Sequence, residues 1–227
     1  MIDFVDARNT MVETQLRPQG VVDNAVLLAM NSVAREEFIP ETRRALAYSD
    51  DEHDLGETNG RVLPSPMPFA RLLQLAEIQP SDVVLDVACG SGYSAAVIAS
   101  IASAVVGVEN SEELVGKADL CLVALEISNA AVLFAPLETG VPSEAPFDVI
   151  VVEGMVAHVP DMLFDQLGEG GRLVAYVLPE TPHKFEGSSR GVATIFVKSG
   201  GTVTSRKVFD GVMPALAAFS HDVEFTL

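Results

Sequence analysis

Residues 83–93, V-V-L-D-V-A-C-G-S-G-Y, restrict the fold of this chain more than any other stretch. A short apolar run of this kind reads as a strand buried on both faces. It passes without a break into Gly90 and Gly92 and then into a helical pattern. Glycines where a strand turns into a helix permit a sharp bend and let a ligand come close to the backbone. The helix start beyond them offers unpaired N–H groups and a partial positive charge, which suit a polar or carboxylate-bearing ligand.

Similar apolar runs recur at residues 104–108, 132–134, 147–152 and 172–177. Helical patterns occupy 93–101, 112–125 and 161–167. Such alternation predicts a parallel sheet covered on both faces. Near the end, V-A-T-I-F-V-K and T-V-T-S-R-K-V-F flank Ser199-Gly200-Gly201, which predicts an antiparallel hairpin. Ahead of the sheet, residues 3–48 carry Met11, Leu16, Val26, Leu27, Met30, Val33 and Phe38 at helical spacing, with breaks at Arg17-Pro18 and Ile39-Pro40. Residues 49–60 are acidic and rich in turn formers and read as an exposed loop, and 66–78 as a helix. The predicted organisation is one domain, with a helical layer over 1–60 and a core over 61–227. A length of 227 residues with 48% hydrophobic content suits one well-buried core.

Charge removes whole classes of function. A net charge of −18 leaves no basic footprint for a phosphate backbone and opposes an anionic membrane surface. Neither a basic leader followed by an apolar run nor an apolar stretch of about 18 residues occurs, so a cytoplasmic protein is expected. Cys89 and Cys121 fit no zinc-ligand or CxxC spacing, and His53, His158, His183 and His221 are scattered, so no metal site and no disulfide are expected.

Glu109 lies about 20 residues beyond the loop, the offset at which an acid accepts hydrogen bonds from ribose hydroxyls. The third glycine of the dinucleotide pattern is absent, since Ser94 and Ala95 follow Tyr93. The loop therefore favours a nucleoside without a pyrophosphate, and S-adenosylmethionine, with its adenosine, sulfonium and amino-acid ends, fits. Asp86 is placed to attract the ammonium group or to brace the loop. Taken singly, Asp86 reads as a strand-end cap and Glu109 as a helix-start acid facing water. Together, in one strand-loop-helix-strand frame, they favour a cofactor site.

The chain also resembles the protein-L-isoaspartate O-methyltransferase family. M-V-E-T-Q-L, V-V-D-N-A-V-L-L-A-M, V-A-R-E-E-F-I-P and A-Y-S-D follow one another as in that family, and G-S-G-Y-S-A-A, A-P-F-D-V-I-V-V and Q-L-G-E-G-G-R-L-V continue the likeness to about Val177. The resemblance implies a Rossmann-like α/β fold of the class I methyltransferases: a mostly parallel seven-stranded sheet, a C-terminal antiparallel hairpin and an N-terminal helical layer. It implies methyl transfer from S-adenosylmethionine, leaving S-adenosylhomocysteine, to the α-carboxylate of an isoaspartyl residue in a damaged protein or peptide. Asp86, Ala88, Gly90, Gly92, Tyr93, Glu109, Asn110 and Leu137 are the expected cofactor contacts.

Three segments depart from the family pattern. Where the family has a segment like T-I-S-Q-P, whose hydroxyls bind the acceptor, this chain has Val62-Leu63-Pro64-Ser65-Pro66, and Ser65 is left as the candidate catalytic hydroxyl or a helix N-cap. Ala135-Pro136-Leu137 replaces G-D-G, and Glu153-Gly154-Met155 replaces small neutral residues. These changes leave two alternatives open: a methyltransferase for another acceptor, and a non-catalytic protein that binds the cofactor.

Overall fold

The computed structural model describes residues 2–56, 60–179 and 190–219. The chain opens with α1 (Phe4–Met11), capped by the Asp3 carboxylate, which accepts from the Val5 and Asp6 amides. A π-helical stretch (Val12–Leu16) and a 3₁₀ turn (Arg17–Gln19) end at Gly20 in the left-handed conformation, and α2 (Asn24–Ser32) follows. Two further 3₁₀ segments, Arg35–Phe38 and Glu41–Leu46, lie either side of Pro40. The helical layer thus breaks where Pro18 and Pro40 predict it.

The predicted exposed loop is different in the structure. His53 and Leu55 are buried, and β1 (His53–Asp54) pairs antiparallel with β2 (Val62–Leu63). One buried histidine and one buried leucine set among Asp50, Asp51, Glu52 and Asp54 leave no readable period, so the buried half of this hairpin is invisible in the sequence. Residues 57–59 lie outside the described residues.

Next comes α3 (Pro66–Ala76), then β3 (Val83–Val87), α4 (Tyr93–Ala99), β4 (Ala104–Glu109), α5 (Glu112–Ala124), β5 (Ala130–Phe134), β6 (Phe147–Val156), α6 (Asp161–Asp165), β7 (Leu167–Val177), β8 (Gly191–Ser199) and β9 (Thr202–Gly211). The seven long strands form one sheet in the order β5-β4-β3-β6-β7-β8-β9. The first five are parallel, and β8 and β9 run antiparallel to their neighbours. Gly200 and Gly201, with φ of 59° and 72°, make the tight hairpin turn. The L-G-E-G-G stretch does not end a strand as a turn would: pairing of β7 with β6 starts at Leu167–Phe147 and resumes at Arg172–Val149, so the glycines form a bulge inside β7.

Alternation along the strands divides the core in two. Val84 and Val151 face an apolar cluster shared with Met11, Leu16, Met30 and Phe38 of the helical layer and Phe69 and Leu72 of α3. Leu85, Val87, Ile150 and Val152 face the opposite cluster with Leu163 and Leu173. The helical layer therefore packs directly on one face of the sheet and belongs to the same core. Because β4 lies on one side of β3 and β6 on the other, the strand order reverses at β3. In open α/β sheets, ligands bind at the carboxyl ends of the strands where this happens.

Candidate functional site at the carboxyl ends of β3, β4 and β6

The loop after β3 is held in an unusual backbone shape. Ala88, Gly90 and Gly92 have φ of 68°, 57° and 91°, a region open to glycine at no steric cost and strained for alanine. The Ala88 and Cys89 amides donate to the Val108 carbonyl at 2.9 and 3.4 Å, and the Ser91 hydroxyl donates to the Phe38 carbonyl at 2.6 Å. The loop is thus fixed to β4 on one side and to the helical layer on the other. Its two glycines serve packing as well as bending. A Cβ on Gly92 would lie 2.9 Å from the Ala118 Cβ of α5, and one on Gly90 would lie 3.0 Å from the Leu55 side chain. The missing side chain of Gly92 thus also admits α5.

Glu109 ends β4 fully buried and accepts three hydrogen bonds. Its Oε1 takes the Asn110 amide at 2.9 Å, while Oε2 takes the Gly90 amide and the Arg61 guanidinium, each at 2.9 Å. The same Arg61 nitrogen donates to the Ala88 carbonyl at 2.6 Å. Leu55, on the facing half of the hairpin, is held by Lys117, whose Nζ donates to the Leu55 carbonyl at 3.2 Å. Together the β1–β2 hairpin and Arg61 cover the loop. Neither Arg61 nor Leu55 is among the residues singled out from sequence, and the one available signal was a lone cation following an acidic loop.

Beneath this cover, Arg35, Val62, Pro64, Cys89, Gly90, Tyr93, Ser94 and Glu153 surround a cavity of about 10 Å³, about the room one water needs. Its polar walls are incompletely paired: Glu153 Oε1, Tyr93 Oη and Arg35 Nη1 are buried without a hydrogen-bond partner, and so is Asp86 Oδ1, next to the cavity-lining Ser94. Asp86 Oδ2 does accept the Ser94 hydroxyl at 2.6 Å. Burial pushes the Asp86 carboxyl up to about 7; the Glu109 charge adds to this, while the Ser94 hydrogen bond and Arg61 oppose it. Glu153 is pushed well above the ordinary carboxylate range, by burial first and the Asp86 charge second. Burial also raises the Cys89 thiol well above its usual value, which leaves it inert as a nucleophile. Arg35 lies 4.9 Å from the Tyr93 ring centroid and donates to the Ala47 and Pro64 carbonyls at 2.9 and 2.6 Å. Tyr93 in turn packs against Phe38 and Phe69.

On the outer side of residues 62–66 lies a groove of about 640 Å³, with Arg43, His53, Ser65, Met67, Arg190 and Val212 in its walls. Ser65 opens into this groove and not into the closed cavity, and it occupies the N-cap position of α3 without making a side-chain cap bond. The neighbouring Tyr48 hydroxyl accepts from Arg8 Nε at 2.8 Å and donates to the Glu36 carboxylate. Of the other expected contacts, Asn110 is exposed next to Glu109, while the Leu137 side chain is buried in the cluster that contains Ala88 and Val108. Among the described residues no group of three or more His, Cys, Asp or Glu side chains is placed to hold a metal, and no helix is long and apolar enough to cross a membrane.

Comparison with known proteins bears on this geometry. A family model for protein-L-isoaspartate(D-aspartate) O-methyltransferases matches residues 7–203. A protein-L-isoaspartate O-methyltransferase of Koribacter versatilis is 40% identical over 171 residues, 75% of this chain and 76% of that protein. A second, from Syntrophobacter fumaroxidans, is 40% identical over 177 residues, 78% of this chain and 82% of its own. Among solved structures, a protein-L-isoaspartate O-methyltransferase matches 92% of this chain with a TM-score of 0.77 and 25% identity, and the match spans 65% of that longer chain. A protein from Plasmodium falciparum described as a complex with S-adenosyl-L-homocysteine shares the fold, with a TM-score of 0.71, 22% identity, and 93% and 98% coverage. A family model spanning most of the chain, together with relatives of this identity over three-quarters of it, shows that the chain belongs to the protein-L-isoaspartate(D-aspartate) O-methyltransferase family.

Proposed function

We propose that this protein transfers the methyl group of S-adenosylmethionine to the α-carboxylate of an isoaspartyl residue in a protein or peptide. The observation that carries this reading is the seat of Glu109, fully buried at the end of β4 and bonded to the Gly90 amide of the β3 loop, within a chain of this family. The residues present fit the cofactor. Glu109 would accept from ribose hydroxyls once Arg61 moves aside, and the orphaned Asp86 Oδ1 would accept from the ammonium group.

When bound, the cofactor supplies a methyl carbon on a sulfonium leaving group; the carbon–oxygen bond forms as the carbon–sulfur bond breaks. The acceptor carboxylate is ionised near neutral pH, so the chain needs no general base for it. What the protein contributes is alignment and exclusion of water, worth about 7–11 kcal/mol when reacting atoms are held in line. The groove beside Ser65 is the path for the peptide, and Ser65 is the hydroxyl on that path. We place the reaction in the cytoplasm and, at a net charge of −18, away from nucleic acids and anionic membranes. Incubation with methyl-labelled cofactor and an isoaspartyl peptide tests the proposal. Alkali-labile label on the peptide is the expected result, and none, beside an active family enzyme, would overturn it.

A further inference from the structure

Asp86 and Glu153 stand on neighbouring parallel strands with Asp86 in register with Val151, so Glu153 is its diagonal neighbour on the same face of the sheet. Both side chains are buried, at 0% and 4% exposure. Each has one buried carboxyl oxygen with no partner, Oδ1 and Oε1, and Arg61 Nε, Arg35 Nη1 and Tyr93 Oη are likewise buried and unpaired. Every charged or titratable group around them is accounted for. Glu109 of β4 adds negative charge, while Arg61, engaged through Nη2 by Glu109 and the Ala88 carbonyl and unpaired at Nε, opposes the upward push on both carboxyls. The Cys89 thiol is neutral, and burial together with the Glu153 charge keeps the Tyr176 hydroxyl of β7 protonated. Arg35 is bound to two backbone carbonyls and covers the Tyr93 ring. Two buried carboxyls with unpaired oxygens side by side are costly unless they share a proton or hold a cation.

We infer that Asp86 and Glu153 together form a two-carboxyl clamp for the α-ammonium group of the cofactor, with Glu153 as the second jaw. This rests on the cofactor reading above. Without the cofactor, a proton held by the pair keeps the cavity from carrying two negative charges, in keeping with the upward push on both groups. Arrival of an ammonium group displaces that proton to solvent, because a cation between the two oxygens favours the doubly ionised pair. Binding is therefore linked to proton release, and Glu153 discriminates ligands by the presence of the amine.

Calorimetry near pH 7, repeated in buffers of different ionisation heat, tests this with three ligands: S-adenosylmethionine, S-adenosylhomocysteine and 5′-methylthioadenosine, which lacks the amino-acid end. The wild-type protein is expected to release protons with the first two and none with the third. Glu153→Gln, which keeps shape and removes charge, is expected to abolish most of the release and to weaken S-adenosylhomocysteine roughly tenfold or more, the scale of a hydrogen bond to a charged group. It leaves 5′-methylthioadenosine unchanged, and a thermal melt confirms that the variant folds. Equal affinity of both forms for S-adenosylhomocysteine, or equal loss for all three ligands, would overturn the clamp alone. Proton release with S-adenosylmethionine but not with S-adenosylhomocysteine would assign the clamp to the sulfonium and overturn it for the ammonium. Wild-type protein that binds none of the three would overturn the cofactor reading, and the clamp with it.

Discussion

Asp86 carries a stability consequence that can be measured without any ligand. Its carboxyl is fully buried and pushed up to about 7, against an ordinary value of 3.8. The folded state therefore binds more protons at this site than the unfolded chain between about pH 4 and pH 7, and stability from this group is lost as pH rises through that window. Asp86→Asn keeps the Ser94 contact and removes the charge. Its melting temperature is expected to lie close to wild type near pH 4 and to exceed it by a margin that widens up to about pH 7, reaching roughly 10 °C at pH 8. Thermal unfolding across that range decides the matter, and a difference that is constant with pH would contradict a raised Asp86. This residue was legible in sequence because it ends an apolar strand before a glycine loop. Arg61 was not, because the contact that matters joins it to Glu109, 48 positions away, and no local pattern encodes that.

At the scale of elements, the ribose contact proposed for Glu109 would set the cofactor in competition with Arg61 of the β1–β2 hairpin. The Arg61–Glu109 pair is 13% and 0% exposed, so breaking it leaves a buried carboxylate short of a partner, a state that ribose hydroxyls relieve. Arg61→Ala is expected to bind S-adenosylhomocysteine roughly three- to tenfold more tightly, read by titration calorimetry; weaker binding would show that Arg61 contacts the ligand and does not compete with it. The loop–helix junction gives a second test. Gly92→Ala places a Cβ 2.9 Å from Ala118 at φ of 91°, while Gly20→Ala, at φ of 84°, meets nothing within 4 Å. Both incur the left-handed cost of roughly 1–2 kcal/mol, and overpacking adds roughly 1–3 kcal/mol at Gly92 alone. Gly92→Ala is thus expected to melt several degrees below Gly20→Ala, and equal melting temperatures would remove the packing role given to Gly92.

Over the whole molecule, the sheet was the most legible part because β3, β4, β6 and β7 are buried on both faces and so read as continuous apolar runs. The hairpin of β8 and β9 was legible through Gly200-Gly201 and the alternation around it. The small β1–β2 hairpin was not, since two-residue strands carry no period and its buried His53 and Leu55 sit in an acidic stretch. The site divides in the same way: Asp86, Gly90 and Glu109 follow from one strand-loop-helix-strand frame, whereas the covering of that frame by Leu55 and Arg61 depends on tertiary packing. The proposed transfer to a polypeptide acceptor rests on family membership and on the open groove beside Ser65. The most direct test is the initial rate of methyl-ester formation on two peptides that differ only in an isoaspartyl or a normal aspartyl linkage. The isoaspartyl peptide is expected to be methylated and its isomer left essentially untouched; equal rates on both, or none on either, would contradict the proposed function.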